Sequence, residues 1–397
     1  MRAAPRLAIL GAGPTGLEAA LAAAERGWPF TVYEAAPEVA GHVRDWGHAR
    51  MFTPWSMNVS PRARRALGDA APGGDALPAG DDLADRVLDP VAALPQVAPR
   101  LRLGARVAAV GREGLLKHEE IAAPARTAHP FRLLVEQDGA ERVERADVVL
   151  DCTGTYGNPN ALGDGGIPAP GERALAHRIE RRLPDVAAAP REWAGRTILL
   201  TGAGHSAQTA ARALARLARE APGTEVVWAV RSGDPTWFAV DGDPLAARRS
   251  LTVAARELAA GASGAVDVRL GRVTEALREE GGRLAVTLRN GTPEEVRVDR
   301  VLALNGGVGD HTLYRQLQVH ECYATAAPMR LSAALLGAGA GGDCLAQPSL
   351  GPDVLVSPEP GFFILGAKSY GRNSQFLMRT GWEQVDDVVS LLAGGSG

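Results

Sequence analysis

Two short glycine-rich stretches carry the residues with the clearest chemical use. The first, GAGPTG, sets Gly11, Gly13, Pro14, Thr15 and Gly16 between an apolar run, RLAIL, and an alanine-rich stretch closed by Gly27. Strand, tight turn and helix in that order predict a cradle for a diphosphate. The first glycine allows the turn, the second lets phosphate approach the backbone, and the third lets the helix pack on the strand, while helix N-terminal amides face the anion. The next apolar run, FTVYE, ends on Glu34, where a carboxylate accepts hydrogen bonds from an adenosine ribose. The second stretch, ILLTGAGHSA, offers Gly202, Gly204, His205, Ser206 and the small Ala207, and the strand after it, TEVVWAVRS, ends on Arg231 instead of an acid. A cation there suits a 2′-phosphate that an acid would repel, which predicts NADPH over NADH at this turn. Arg248 and Arg249 are further cations for that phosphate, or a solvated charge pair.

The elements that must position these turns occur twice. After the first turn come LRLGARVAAV, FRLLVEQDG and ADVVLDCTG; after the second come VRLGRVTEAL, RLAVTLRNG and VDRVLALNGG. Asp147 precedes Thr153 and Gly154 by the same intervals that separate Asp299 from Asn305 and Gly306. Two copies of a βαβ unit, each followed by a β-meander and an exit strand, predict an α/β chain of two Rossmann-like dinucleotide-binding domains. The Gly/Pro-rich GDGGIPAPGE reads as the outgoing linker and the return falls within NGGVGDHTLYRQL, so the expected domains are 1–162 with 311–397, and 163–310 between them.

With paired glycine turns and paired exit strands, the chain resembles the two-dinucleotide-binding-domain flavoproteins, which comprise pyridine nucleotide-disulfide oxidoreductases and class B flavin monooxygenases. The resemblance implies FAD in the first copy, NADPH in the inserted one, and an FAD domain that resumes after the insert. The loop VAGHVRDWGHARMFTPWSMN then corresponds to the segment that wraps the flavin ring, with Gly41, His42, Val43, Trp46, Met51, Trp55 and Asn58 in it. A core satellite beneath a long loop is the alternative. Val107, Thr153 and Gly154 complete the implied FAD set, and Asn58 resembles the asparagine that flavin monooxygenases place beside the flavin, which implies a catalytic role. Near the C-terminus, PGFFILGAKSYGRNSQFLMRTGWEQVDDVVSLL reads as strand, glycine loop and amphipathic helix, with Gly366 at the strand end. The resemblance aims that helix's positive end at the flavin. Lys368, Tyr370, Arg372 and Asn373 in the intervening loop face substrate or merely cap the helix. Disulfide reductases follow the corresponding glycine with Asp; here it is Ala367.

Composition narrows the reaction. Among 397 residues, 43 basic and 46 acidic side chains give a net charge of −3, with no Lys/Arg tract interleaved with aromatics. Nucleic acid and membrane are therefore not expected as partners; a small molecule is, with oxygen as a further candidate and a homodimer as the candidate assembly. The N-terminal apolar run is too short for a signal peptide, so the expected location is cytoplasmic. Cys152, Cys322 and Cys344 form no CxxC, which argues against a redox dithiol and a thiolate metal site and for small core residues. Cys322 and Cys344 could in principle pair.

An FAD- and NADPH-dependent oxidoreductase without a dithiol must pass electrons to oxygen, a small molecule or a protein. DCTGTYGNP and the Asn58 loop resemble monooxygenases more than reductases, which implies oxygenation of a nitrogen, sulfur or carbonyl centre through a C4a-peroxyflavin. Gly171 and His177 do not reproduce the spacing of the family's FxGxxxH motif. A dithiol-free NADPH-dependent reductase or dehydrogenase, and a flavin-bearing redox sensor, remain as alternatives.

Overall fold

Leu7–Leu10 (β1) is apolar at every position, and all four side chains are buried. Leu7 and Ile9 face one hydrophobic cluster while Ala8 and Leu10 face another, as a parallel-sheet interior requires. In this computed structural model, which describes residues 4–261, 264, 266–337 and 350–394, the chain divides into two compact units: residues 1–158 with 308–397, and 159–307. Each is an α/β unit built on a five-stranded parallel sheet beside a three-stranded antiparallel meander.

In the first unit, β1 leads through the helix Pro14–Glu25, which opens on proline and is rich in alanine, to Phe30–Tyr33 (β2). Leu101–Arg102 (β3) extends that sheet, and the meander follows as Arg106–Arg112 (β4), Phe131–Gln137 (β5) and Ala140–Ala146 (β6). Val148–Asp151 (β7) then returns to pair with β1.

The second unit repeats this plan. Ile179–Glu180 (β8) joins the edge of a sheet whose centre is Thr197–Thr201 (β9). The helix His205–Glu220 leads to Glu225–Val230 (β10), and the helix Ala246–Ala259 to Asp267–Leu270 (β11). Val273–Glu280 (β12), Arg283–Asn290 (β13) and Thr292–Val298 (β14) form the meander, and Arg300–Ala303 (β15) pairs with β9.

Back in the first unit, Glu321–Cys322 (β16) and Ala327–Pro328 (β17) form a small hairpin, Phe362–Ile364 (β18) pairs with β7, and the helix Met378–Gly394 follows. The sheet orders are β18-β7-β1-β2-β3 and β11-β10-β9-β15-β8.

The duplication extends to details. Each meander's first strand is bulged near its start, between Val107 and Ala109 and between Thr274 and Ala276. Asp147 accepts the Arg6 amide at 2.9 Å, and Asp299 accepts the Thr197 amide at 2.7 Å, so in each unit one carboxylate ties the start of the exit strand to the start of the first.

The stretch read as the outgoing linker is docked. Gly163 bridges Thr274, the Leu277 amide donates to Pro170 O at 2.8 Å, and the buried Glu172 carboxylate accepts the amides of Leu162 and Ala169. A buried carboxylate needs such partners, and these draw the stretch into the second unit.

Candidate functional site

At the first turn, Gly11 has φ +99°, and a Cβ there would lie 2.8 Å from the Cys152 carbonyl oxygen. A Cβ on Gly16 would meet the Gly11 oxygen at 1.9 Å. Between them, Gly13 has no atom within 4 Å of where a Cβ would stand. The turn is thus closed where helix meets strand and open where a phosphate would approach. The second turn repeats this: Gly202 has φ +107° and packs on the Leu304 carbonyl, Gly204 is open, and Ala207 is fully buried in the third position.

Around the first turn, Glu34 accepts the amides of Ala12 at 2.7 Å and Ala36 at 2.9 Å, which holds its carboxylate at the turn's edge. The Ala40 amide donates to the Ala12 oxygen, bringing Gly41 and His42 beside the same turn. His42 is exposed, with its ring 5.9 Å from that of Tyr156. At the exit strand, Thr153 donates to Asp151 at 2.7 Å, and Gly154 is left-handed. The Thr15 hydroxyl is socketed between two glycines, since a Cβ on Gly366 or on Gly381 would stand 2.7 Å from it. Val107 lies at the meander bulge, half-buried.

The loop 39–58 divides. Val43 and Trp55 are buried in the main core, Trp46 and Met51 pack against it, and Arg86 lies over the Trp55 ring. Protein therefore covers the apolar surfaces of Val43 and Trp55, and those of Trp46 and Met51 in part. Asn58 is 3% exposed, and Thr53 engages both ends of its amide at 2.7 Å. It lines a small cavity with Pro14, Glu18, Ser60 and Trp382. Its amide first serves the loop.

The loop after β18 departs from two expectations, at Tyr370 and Lys368. Tyr370 is buried edge-on to Phe376, 5.4 Å away, and faces the core. Asn373 caps its own turn by accepting the Gln375 amide, while Arg372 is the exposed member of the set. Lys368 is fully buried, with its ammonium donating to Asp151 at 2.6 Å, to Thr153 Oγ1 and to the Asp310 carbonyl. Residues 366–370 form a 3₁₀ turn that packs inward, so polar side chains there find partners beneath the surface.

Burial, and then the neighbouring Asp151 charge, push the Cys152 thiol well above its ordinary value. It is an inert core residue. Cys322 differs: hydrogen bonds from Thr325 and Ser332 bring its thiol down to about 7. Cys344, and with it any pairing to Cys322, lies outside the described residues.

At the second turn, Ser206 is exposed, and burial followed by the Arg248 charge lowers the His205 pKa, keeping the imidazole neutral near pH 7. Arg231 is exposed at the end of β10 and makes no ion pair among the described residues. Arg248 is no solvated cation: it is 5% exposed and grips Asp243 at 2.7 and 2.8 Å, while Arg249 donates to the Asp243 carbonyl. Arg231 is thus an exposed cation at this strand end, while Arg248 is committed to Asp243.

Sequence reasoning missed the supports of this turn. Trp228 donates to the Gly202 carbonyl at 2.8 Å, and Gln208 to that of Ala203 at 2.9 Å. A buried Trp in a strand and a Gln in a helix carry no motif that announces such roles.

Residues 9–66 match the profile of the NAD(P)-binding Rossmann-like domain family. No curated protein matches the chain by sequence. Among solved structures, the chain is similar to bacillithiol disulfide reductase from Bacillus cereus (TM-score 0.70, 18% identity, 99% of each chain covered). It is also similar to the cadaverine monooxygenase of Erwinia amylovora, solved with FAD (0.64, 13%, covering 98% of this chain and 94% of that one). A third is the ornithine N-hydroxylase of Kutzneria sp. 744, solved with reduced FAD, NADP+ and L-ornithine (0.62, 15%, 100% of each). The chain has the fold of the two-dinucleotide-binding-domain flavoproteins. Among the described residues, no helix is long and apolar enough to cross a membrane.

Proposed function

We propose, from that fold, that the chain is an NADPH-dependent flavoprotein oxidoreductase that binds FAD at Gly11–Gly16 and NADPH at Gly202–Ala207. The observation that carries this is the open backbone above Gly13 and Gly204, each flanked by positions closed by protein. Such a cradle fits a diphosphate, and its open glycine recurs at the same place in both units. When bound, FAD accepts hydride from NADPH and passes electrons onward. The chain's part is to hold each dinucleotide. Glu34 takes the ribose of the first, Arg231 the 2′-phosphate of the second, and the amides of Gly13, Thr15 and Gly16, and of residues 204–207, the diphosphates.

An Arg231→Glu variant is expected to raise the NADPH concentration needed to reduce the flavin by about tenfold or more, the order of one charge-assisted hydrogen bond, while sparing NADH. Titrating flavin absorbance with each nucleotide checks this. NADH reducing the parent protein at a lower concentration than NADPH would overturn the assignment.

For the onward step we favour monooxygenation of a small nitrogen, sulfur or carbonyl substrate. The inert Cys152 supports an electron exit that uses no thiol there, and Asn58 enters as a positioning residue whose amide fixes the loop wall of the cavity beside Pro14. A reductase with a small-molecule acceptor is the second reading, favoured by the engagement of both ends of the Asn58 amide with Thr53. Rapid mixing of the NADPH-reduced protein with oxygen separates them. Monooxygenation predicts a long-lived absorbing species, distinct from oxidised and reduced flavin, that decays faster in Asn58→Ala. Direct reoxidation in a single phase rejects it in favour of the reductase, and no reduction by NADPH leaves the redox sensor.

A further inference from the structure

The loop between β10 and the helix Ala246–Ala259 holds two consecutive bulky residues in the left-handed region, Trp237 at φ 56° and Phe238 at φ 54°. Side chains of this size avoid that region, and backbone strain of this kind persists only where surrounding contacts over-determine it. The contacts lead to the second glycine turn. Trp237 is buried with its ring 5.0 Å from that of Trp228, and its carbonyl accepts the Gln208 side-chain amide at 2.9 Å. These same two side chains, Trp228 and Gln208, hold the successive carbonyls of Gly202 and Ala203. Turn and loop are therefore one braced unit. At its far end the loop is anchored by the buried Asp243–Arg248 pair, with the Leu245 amide donating to Asp243.

The bracing fixes one thing in solvent: the Phe238 ring, 46% exposed, 5.8 Å from the ring of His205 at the first residue of the helix. Unlike Trp237, which packs into the core, Phe238 presents its ring beside the second glycine turn. Phe238 also shares its loop with Arg231, at the adenosine side of such a unit.

We infer that Phe238 is a nucleotide-contacting residue, its ring held as a platform for the adenine of the bound 2′-phosphorylated dinucleotide. This rests on the reading of Gly202–Ala207 as the NADPH site and extends it from anion and cation contacts to ring stacking. Stacking of a base on an aromatic ring tolerates ring identity but not ring loss.

The test uses 2′,5′-ADP, which carries adenine and the 2′-phosphate without nicotinamide, and calorimetric titration of the full-length protein. Phe238→Ala is expected to weaken binding about tenfold, and Phe238→Tyr to bind as the parent does, both with unchanged melting temperature. If the parent binds and Phe238→Ala binds equally well, the platform is wrong while the site stands. If the parent does not bind 2′,5′-ADP, the site reading fails and the platform with it. Should Phe238→Ala melt early, the titration of Phe238→Tyr decides: loss of affinity with the ring retained would also overturn the inference.

Discussion

A Gly13→Val protein is expected to fold and to purify without FAD, and a Gly204→Val protein to purify yellow yet stay oxidised when NADPH is added. Neither glycine needs its special backbone freedom: their φ values, −84° and −70°, suit any residue, and the Cβ of each would meet nothing. The fold loses only a favourable cap residue, about 1 kcal/mol. The ligand loses its approach to the backbone. Two charge-assisted hydrogen bonds at about 1.5 kcal/mol each correspond to roughly a hundredfold in affinity. Flavin content by absorbance and NADPH bleaching of the flavin read the two sites separately. Retention of flavin by Gly13→Val would sink the assignment of the first turn, and NADPH reduction of Gly204→Val that of the second. Gly16→Val is a poor substitute, because its Cβ would collide with the Gly11 carbonyl and unsettle the fold itself.

The second large effect is structural. Glu359 is fully buried and serves Arg112 at 2.7 Å, Arg126 at 2.9 Å and the Gln318 amide at 2.8 Å. Glu359→Gln leaves two buried guanidiniums without a counter-charge. Breaking a buried pair from one side costs about 3–5 kcal/mol. In a protein of this size that is a fall in Tm of about 5 °C. Arg145, paired with Glu113 at the surface, supplies the contrast: Arg145→Ala is expected to melt with the parent, since solvent screens the pair. Thermal melts of the three proteins decide, and a Glu359→Gln protein that melts with the parent refutes the buried-charge argument.

The difference between these two predictions is also a difference in what a linear reading reaches. Gly11, Gly13 and Gly16 were legible because strand, turn and helix constrain one another within a few residues, and the exit strands because Asp147 and Asp299 repeat a local pattern. Glu359 was not, since its partners lie 247 and 233 residues away and nothing local marks them. Lys368 misled for the same reason: in GAKSYGRN it reads as a surface cation, yet Asp151, 217 residues earlier, waits beneath it. Tyr370 misleads because polar neighbours suggest exposure, while the face a residue shows depends on the helix or sheet it meets. Phe238 left no trace in composition, as the left-handed backbone that exposes it comes from Trp228 and Gln208.

The placement of β18 has a consequence for the newly made chain. The second unit is one continuous stretch, so its sheet can be completed as soon as β15 has been synthesised. The first unit cannot follow suit. Its β7 pairs with β1 on one side and with β18 on the other, and more than half of the chain is translated between β7 and β18. Until then β7 is an unprotected edge of buried aliphatic residues, open to pairing with a neighbouring nascent chain. The interval ends when Phe362–Ile364 leaves the ribosome, which makes the last strand a safeguard against aggregation as well as the sheet's border.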